Sequence, residues 1–410
     1  MNDKMNNTEK QALVDWNSVS LGKLTLSSDY GTSKKTNDNT GIPVLRMGNM
    51  KDGKIVLDNL VFLELENSEF QRLKLYPGDI LINRTNSADL VGKVSIFDLD
   101  GDYVCASYIV RFKINQEIIN PYYLNYYMNM SDSQNRIKTI ATQAIQQANI
   151  NPTTLKKSFI VKFPKSKHEQ DKIVKIISTW DKAIELKEKL IDEKKKQKAG
   201  LMQKLYTGKV RIPGFSGKVQ FERLNKYIKE SKEKNRNNQE KRVLSVTNKL
   251  GFVLQEDQFD RIVASKDLSN YKIVRKGQFA YNPSRVNVGS IDLLTTFESG
   301  LLSPMYVVFQ CKQDLVTEYL YHFIKSDAFL KAIPNFLQGS VRDSLSIDSL
   351  GLVKIFIPSV EEQNAIAQRL NLADKEILLL EKELECLKQQ KKGLMQLLLT
   401  GIVRVNTQES

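Results

Sequence analysis

A chain of 410 residues is too long for one comfortable core and suits two or more domains. Its 41% hydrophobic and 26% charged residues are ordinary for a soluble globular protein. No apolar run approaches the roughly 20 residues needed to span a bilayer, so a membrane protein is not expected. A formal net charge of +14 favours a polyanionic partner, nucleic acid before an anionic membrane. Cys105, Cys311 and Cys386 lack CxxC spacing, which argues against a disulfide framework or a zinc site. With no signal peptide in the polar start MNDKMNNTEK, the expected location is cytoplasmic.

In chain order, residues 1–15 read as a polar tail. Residues 16–163 form a β-leaning block carrying VLRMGNM, KIVL, GDILINR, GKVSIF and SYIVRF. PYYLNYYMNM then has a helical pattern, and NPYY suits its start because proline is favoured in the first turn. Residues 164–208 read as a long helix. Ile173, Ile177, Trp180, Ile184, Ile191, Leu201 and Leu205 keep a 4-3 spacing, the seam of a coiled coil, interrupted by Lys187, Lys194 and Lys198.

Residues 209–357 open on the turn RIPGFSG and form a second β-leaning block, with RVLSVTN, GQFAYNPS, GSIDLL and MYVVFQ. EYLYHFIKSDAFLKAI follows as helix. Residues 358–401 are a second long helix. Its seam is Ile366, Leu370, Ala373, Ile377, Leu380, Leu384, Leu387, Leu394 and Leu398, interrupted by Lys391. Residues 402–410 are a short C-terminal tail.

The two helices are copies of one another. GLMQKLYTG at 200–208 returns as GLMQLLLTG at 393–401, and an offset of 193 holds without a gap from Gln170/Gln363 to Ile212/Val405. About 20 of these 43 pairs are identical. Each copy ends in Thr-Gly, a helix stop. Trp180 stands where the other copy has Ala373, a size difference that two mutually paired helices could accommodate. The blocks are more distant copies: residues 76–84 face 274–282, and LVGKV at 90–94 faces NVGSI at 287–291.

The expected fold class is therefore α+β. Two pseudo-repeated α/β domains are separated by two long helices that form an antiparallel coiled coil, a pseudo-two-fold dumbbell. About 35 helical residues would give a rod of about 50 Å. Such a protein suits two half-sites of duplex DNA in inverse orientation about one helical turn apart, and the half-sites need not match because the heads differ.

This arrangement resembles the specificity (S) subunits of type I restriction–modification systems. The residues that carry the resemblance are Pro-x-x-x-x-Glu-Gln at 164–170, its shortened partner Pro358 with Glu362-Gln363, and both GLMQ-x-L-x-T-G ends. GDILINRT at 78–85 and Leu-x-x-x-Asn at 45–49 add to it. The resemblance spans nearly the whole chain. It implies that each block is a target recognition domain reading half of an asymmetric bipartite site in double-stranded DNA. It implies that the helices act as spacer and as docking surface for two methyltransferase (M) subunits, with restriction (R) subunits completing the enzyme. No catalytic centre or cofactor is then expected on this chain; S-adenosylmethionine would act on the M subunits, ATP and magnesium on the R subunits.

The residues agree about catalysis. There is no GxxxxGK[ST] phosphate loop and no Asn-Pro-Pro-Tyr/Phe string, and His168 and His322 have no second ligand at metal spacing. Base edges are read by Arg, Lys, Asn and Gln, so polar loops after the repeated strands are the candidate contacts. In the first block these are Arg84, Thr85, Asn86 and Ser87, with Lys34 and Lys35, and the run Gln143, Gln146, Gln147 and Asn149. In the second they are Asn282, Ser284, Arg285 and Asn287, with Ser340, Arg342 and Asp343. SKEKNRNNQEKR at 231–242 reads as a flexible phosphate-contacting loop. Leu378, Leu379, Leu397, Leu399, Val174, Ile176 and Leu186 lie off the seam and would face further partners. The alternatives are a stand-alone bipartite DNA-binding regulator and a coiled-coil scaffold that binds proteins only.

Overall fold

A computed structural model describes residues 15–87, 90–143, 148–218, 220–258, 267–337 and 344–406. The chain divides into two compact units, Met1–Leu186 with Glu383–Ser410, and Lys187–Lys382.

The first unit is built on a four-stranded antiparallel sheet in the order Thr25–Tyr30, Ile109–Ile114, Ile80–Asn83, Val94–Ile96. All four residues of Ile80–Asn83 are buried, because both faces of the sheet are covered. Ile80 and Ile82 point to a core shared with Tyr123, Leu124, Ile173 and Ile177, and Leu81 to a second core with Leu45, Met50 and Phe97. This is the strand alternation expected of GDILINR, with apolar partners on each side. Asn120 caps the helix Pro121–Asn129 by accepting from the backbone N–H groups of Tyr122 and Tyr123, and Pro121 takes the first helical position. Asn49, the asparagine of Leu-x-x-x-Asn, is buried. Its side chain accepts from Arg46 N and donates to the carbonyls of Val56 and Asp58.

The second unit repeats this plan. Its sheet runs Ile228–Ser231, Val307–Cys311, Phe279–Tyr281, Ile291–Leu293, again antiparallel throughout. The closing pair of strands also recurs: Trp16–Ser20 with Ile160–Pro164, and Phe221–Arg223 with Lys354–Phe356. The weak sequence match between the blocks is thus a match of strand order.

The long helices are Lys167–Tyr206 and Val360–Leu399, 40 residues each. Each gives one half to each unit, and within both units they run antiparallel. In the first, Ile173 and Ile177 share a core with Met395, Leu398 and Leu399, and Lys391 bonds Asp181 at 2.5 Å. In the second, Met202 and Leu205 share a core with Ile366 and Leu370, while Lys198 meets Asp374 at 2.5 Å and Lys194 meets Glu376 at 2.6 Å. Ile173, Ile177, Ile191, Leu205, Ile366, Leu370, Ile377 and Leu398 are buried. Trp180, Ile184, Leu201, Ala373, Leu380, Leu384, Leu387 and Leu394 are half-buried. Lys198 and Lys391, which break the apolar frame, are equivalent residues in the repeat, and their partners Asp374 and Asp181 are equivalent too.

Each helix begins on the same glutamine lock. Gln170 accepts from Asn120 N at 2.7 Å and donates to Pro164 O at 2.9 Å. Gln363 accepts from Val316 N at 2.8 Å and donates to Pro358 O at 3.0 Å. Each ends on a left-handed glycine, Gly208 at φ 65° and Gly401 at φ 78°. One expectation needs correction. Leu399 is fully buried rather than turned to a partner, because the head helix Pro121–Asn129 closes over it and the Tyr123 hydroxyl reaches its carbonyl at 3.5 Å. Val174 is likewise half-covered by this core, whereas Ile176, Leu186, Leu378, Leu379 and Leu397 are exposed.

Candidate nucleic-acid interface

In the first unit the chain leaves the buried strand at Asn83 and enters the loop of Arg84, Thr85, Asn86 and Ser87. Backbone bonds fix its start: Arg84 N donates to Tyr108 O, and Ile150 N donates to Arg84 O. Thr85–Asn86 then pairs with Ala148–Asn149, which pairs with Thr142–Gln143, in a three-stranded sheet. Two candidate stretches 60 residues apart in sequence are thereby laid side by side. The side chain of Gln143, and Gln146 and Gln147 altogether, lie outside the described residues.

Arg84 is held by two contacts. Its guanidinium stacks over the exposed Tyr30 ring at 4.9 Å, and Nη1 donates to Asn149 Oδ1 at 3.0 Å. Its Nε is buried without a partner. Thr85 Oγ1 donates to the same Asn149 oxygen at 3.3 Å. Asn86 reaches Met47 Sδ at 3.1 Å, which ties this loop to the turn after Leu45. Beside Tyr30, Asp29 is bonded by Arg111 at 2.7 Å. Burial pulls the Asp29 carboxyl upward, but the bonds from Arg111 and Ser27 outweigh it and hold the carboxyl below its ordinary range. Lys34 is committed to Glu69 at 2.5 Å on the helix Asn67–Leu73; Lys35 is exposed.

In the second unit the loop leaves the equivalent strand at Tyr281. Leu345 N donates to Pro283 O, the counterpart of the Ile150–Arg84 bond, so the loop from Pro283 takes the place of the loop from Arg84, one residue further along than the alignment of 76–84 with 274–282 puts it. Asn282 turns the chain by accepting from Ser284 N at 3.1 Å. Buried Val286 pins the loop, leaving Ser284, Arg285 and Asn287 exposed. Ser340, Arg342 and Asp343 lie outside the described residues. The 231–242 segment is organised by hydrogen bonds rather than structureless: buried Asn235 donates to Glu240 O and accepts from Glu240 N. Arg275 bonds Glu233.

Sequence reading missed Tyr30 and Met47. Tyr30 is separated from Arg84 by 54 residues, and only the sheet order brings them together. Among the described residues, no group of His, Cys, Asp and Glu could hold a metal ion. Polar, cationic loops set on buried strands, with an arginine fork braced by an aromatic ring, can hydrogen-bond base edges and phosphates.

The profile of the family described as "Type I restriction modification DNA specificity domain" matches residues 14–195 and 298–389. A protein named as the type I restriction enzyme MjaX specificity subunit of Methanocaldococcus jannaschii is 29% identical over 397 residues, covering 92% of this chain and 90% of that one. The MjaVIII specificity subunit of the same organism is 26% identical, covering 74% and 75%. Among solved structures, the type I restriction-modification S subunit from M. genitalium superposes with a TM-score of 0.55 at 15% identity, covering 96% of this chain and 97% of that one. A chain described under complex assembly and conformational transition of the type I R-M system superposes with a TM-score of 0.57 at 14% identity, covering 94% and 98%.

Proposed function

The chain belongs to the family of type I restriction modification DNA specificity domains; it is a type I specificity subunit, and we propose that its two units each read one half of an asymmetric bipartite site in double-stranded DNA. The observation that carries this is one scaffold with two different loops. The same strand order presents Arg84-Thr85-Asn86-Ser87 in one unit and Ser284-Arg285-Val286-Asn287 at the equivalent place in the other. A shared strand order that carries different loop side chains suits two readers of different sequence.

Residues 16–163 and 209–357 are the recognition domains in this reading, and the helices 164–208 and 358–401 set the spacing. The helices dock two methyltransferase subunits, and restriction subunits join them. Exposed Leu186 and Leu379, equivalent in the repeat at 56% and 50% exposure, support a docking role. Adenine methylation with S-adenosylmethionine, and cleavage with ATP and magnesium, belong to those partners, and this chain supplies recognition without catalysis. No helix among the described residues is long and apolar enough to cross a membrane. Family membership favours this reading over a stand-alone regulator or a protein-only scaffold.

The test is a genome-wide map of methylated adenines with and without the gene. A bipartite motif that vanishes on deletion supports the reading. An unchanged map, together with failure to co-purify with a methyltransferase, overturns it.

A further inference from the structure

Two exposed apolar side chains in the second unit are not used by the polar reading described above. Leu250 is 77% exposed at the tip of the hairpin formed by Leu244–Thr247 and Gly251–Leu254. Val288 is 59% exposed at the end of the short turn Val286–Val288. Single exposed apolar side chains are ordinary on a folded surface; these two stand out because they sit on two adjoining fixed turns beside the 283–287 loop.

Both side chains sit on fixed turns. Leu250 N donates to Thr247 Oγ1 at 3.0 Å, and the same hydroxyl donates to Gly251 O at 3.3 Å. Gly251 has φ 64° and lies so close to Asp292 that a Cβ would fall 1.6 Å from its Oδ2. The Val288 turn is closed by Gly289 at φ 91° and by Gly289 N donating to Val286 O at 2.9 Å. The two turns abut: a Cβ on Gly289 would stand 3.6 Å from Asn248 Cβ, and Ser290 Oγ donates to Val246 O at 2.6 Å.

The same two turns carry the exposed side chains Asn248, Lys249, Ser284, Arg285 and Asn287. Neither turn carries a carboxylate. Two cations, two amides and a hydroxyl match phosphates and base edges, and their charge favours a polyanion. The major groove offers one apolar base feature, the 5-methyl group of thymine. We propose that Leu250 and Val288 are specificity-determining residues of the second unit that contact a thymine 5-methyl group in the major groove of its half-site. The inference rests on the reading that this unit binds DNA through the 283–287 loop.

The test uses the chain in complex with its methyltransferase subunit and duplexes carrying the site mapped from methylated adenines. Each thymine of both half-sites is replaced singly by deoxyuridine, which lacks only the methyl group, and the half-site at which the apolar variants change the response is assigned to the second unit. At one thymine the wild type should lose about fourfold in affinity, the value of one buried methyl contact. Leu250→Ala or Val288→Ala should bind the thymine and deoxyuridine duplexes alike. Both residues are exposed, so these variants keep the fold, and their response to changes in the other half-site should match the wild type. A half-site without a T·A pair, neutral deoxyuridine at every position, or undiminished sensitivity in both variants would overturn the inference alone. If Arg285→Ala and both apolar variants alter neither half-site, the parent reading falls and takes this inference with it.

Discussion

Glu169 and Arg404 lie 235 residues apart and are joined by two hydrogen bonds of 2.6 and 2.7 Å. Adding 193 to the first and subtracting 193 from the second gives Glu362 and Arg211, which form the same paired contact in the other unit. Each carboxylate is buried at the start of one long helix and is met by the arginine that follows the end of the other. A single repeat cannot close this contact on itself within one chain; two copies close it reciprocally.

Arg404→Ala should therefore destabilise the first unit, because it leaves Glu169 buried without its partner. Arg404 is one-third exposed, so the loss should be about 2–3 kcal/mol rather than the larger cost of a fully buried break. Arg211→Ala should act the same way on the second unit. Urea unfolding of both variants reads this out, and a Glu169→Gln/Arg404→Ala double variant should recover part of the loss. Strictly additive losses would show that the pair is not coupled.

A second reciprocal network differs in one residue. Tyr126 donates to Asp181 at 2.6 Å beside Lys391 in the first unit. His322 lies beside Asp374 and Lys198 in the second. His322 is fully buried, its Nε2 bonded to Asn371 at 2.8 Å and its Nδ1 unpartnered, 3.9 Å from Asp374. Burial pulls its pKa below the ordinary histidine value, with Lys198 adding to the effect, and the Asn371 bond and Asp374 only partly offset it. The unfolded chain then binds the proton more tightly than the folded one. Stability from this group should be intact above the ordinary histidine pKa of about 6.5 and should fall as pH drops below it. Urea midpoints at pH 5.5 and 7.5 should differ less in His322→Tyr than in the wild type; an equal difference in both would remove His322 as the cause.

The helix pairing was legible in the sequence because it is periodic: seam residues such as Ile177 and Leu370 recur every three or four positions, and Thr-Gly stops both copies. Asn120-Pro121 was legible as a helix start for the same local reason. The Glu169–Arg404 pair was not, because no local spacing says that the residues after one helix return to the start of the other. Leu399 misled because a seam frame describes two helices, whereas a third element, Pro121–Asn129, covers that end. At the candidate interface, polar residue types pointed to the Arg84 and Arg285 loops. The distant repeat of the two blocks also set these loops at equivalent places; Tyr30 beneath Arg84 was not legible, because it depends on the order of strands in a sheet.

The seam itself gives a test of assembly. Leu380 and Leu387 are half-buried along the second helix, so Leu380→Asp and Leu387→Asp should each cost about 2–3 kcal/mol by placing a charge at the helix contact. Co-purification with the methyltransferase subunit should fall, or the spacing between methylated half-sites should broaden. Normal assembly with unaltered spacing would argue against the helix pair as the spacer.

Gly251→Ala addresses the surface proposed to read DNA in the second unit without changing any of its polar candidates. A side chain at φ 64° is strained, and its Cβ would meet Asp292, which also pairs with Lys325 at 3.0 Å. The expected cost is about 1–3 kcal/mol, with the hairpin tip displaced from the 286–288 turn. Discrimination at one half-site should weaken while the other half-site is read as before. Equal loss at both would assign the effect to global destabilisation.

Arg84 and Arg285 occupy corresponding loops but are mounted differently, and the difference predicts different substitution profiles. Arg84 is fixed by the Tyr30 ring and Asn149; Arg285 is exposed, its backbone held by Asn282 and its side chain turned to solvent. Lysine keeps the charge but loses the planar fork that stacks on tyrosine and bonds two acceptors. Arg84→Lys should therefore relax one base position of its half-site by about 1–3 kcal/mol of discrimination, measured as the ratio of methylation rates on matched and mismatched duplexes. If Arg285 instead holds a phosphate, Arg285→Lys should leave that ratio unchanged, and Arg285→Ala should lower binding for every sequence and reduce the salt dependence by about one unit of slope. If it reads a base, Arg285→Ala should relax the opposite half-site alone. Salt titration of both variants on matched and mismatched duplexes separates the two roles. A uniform loss for Arg84→Lys would show that its bracing by Tyr30 serves backbone contact and not base reading.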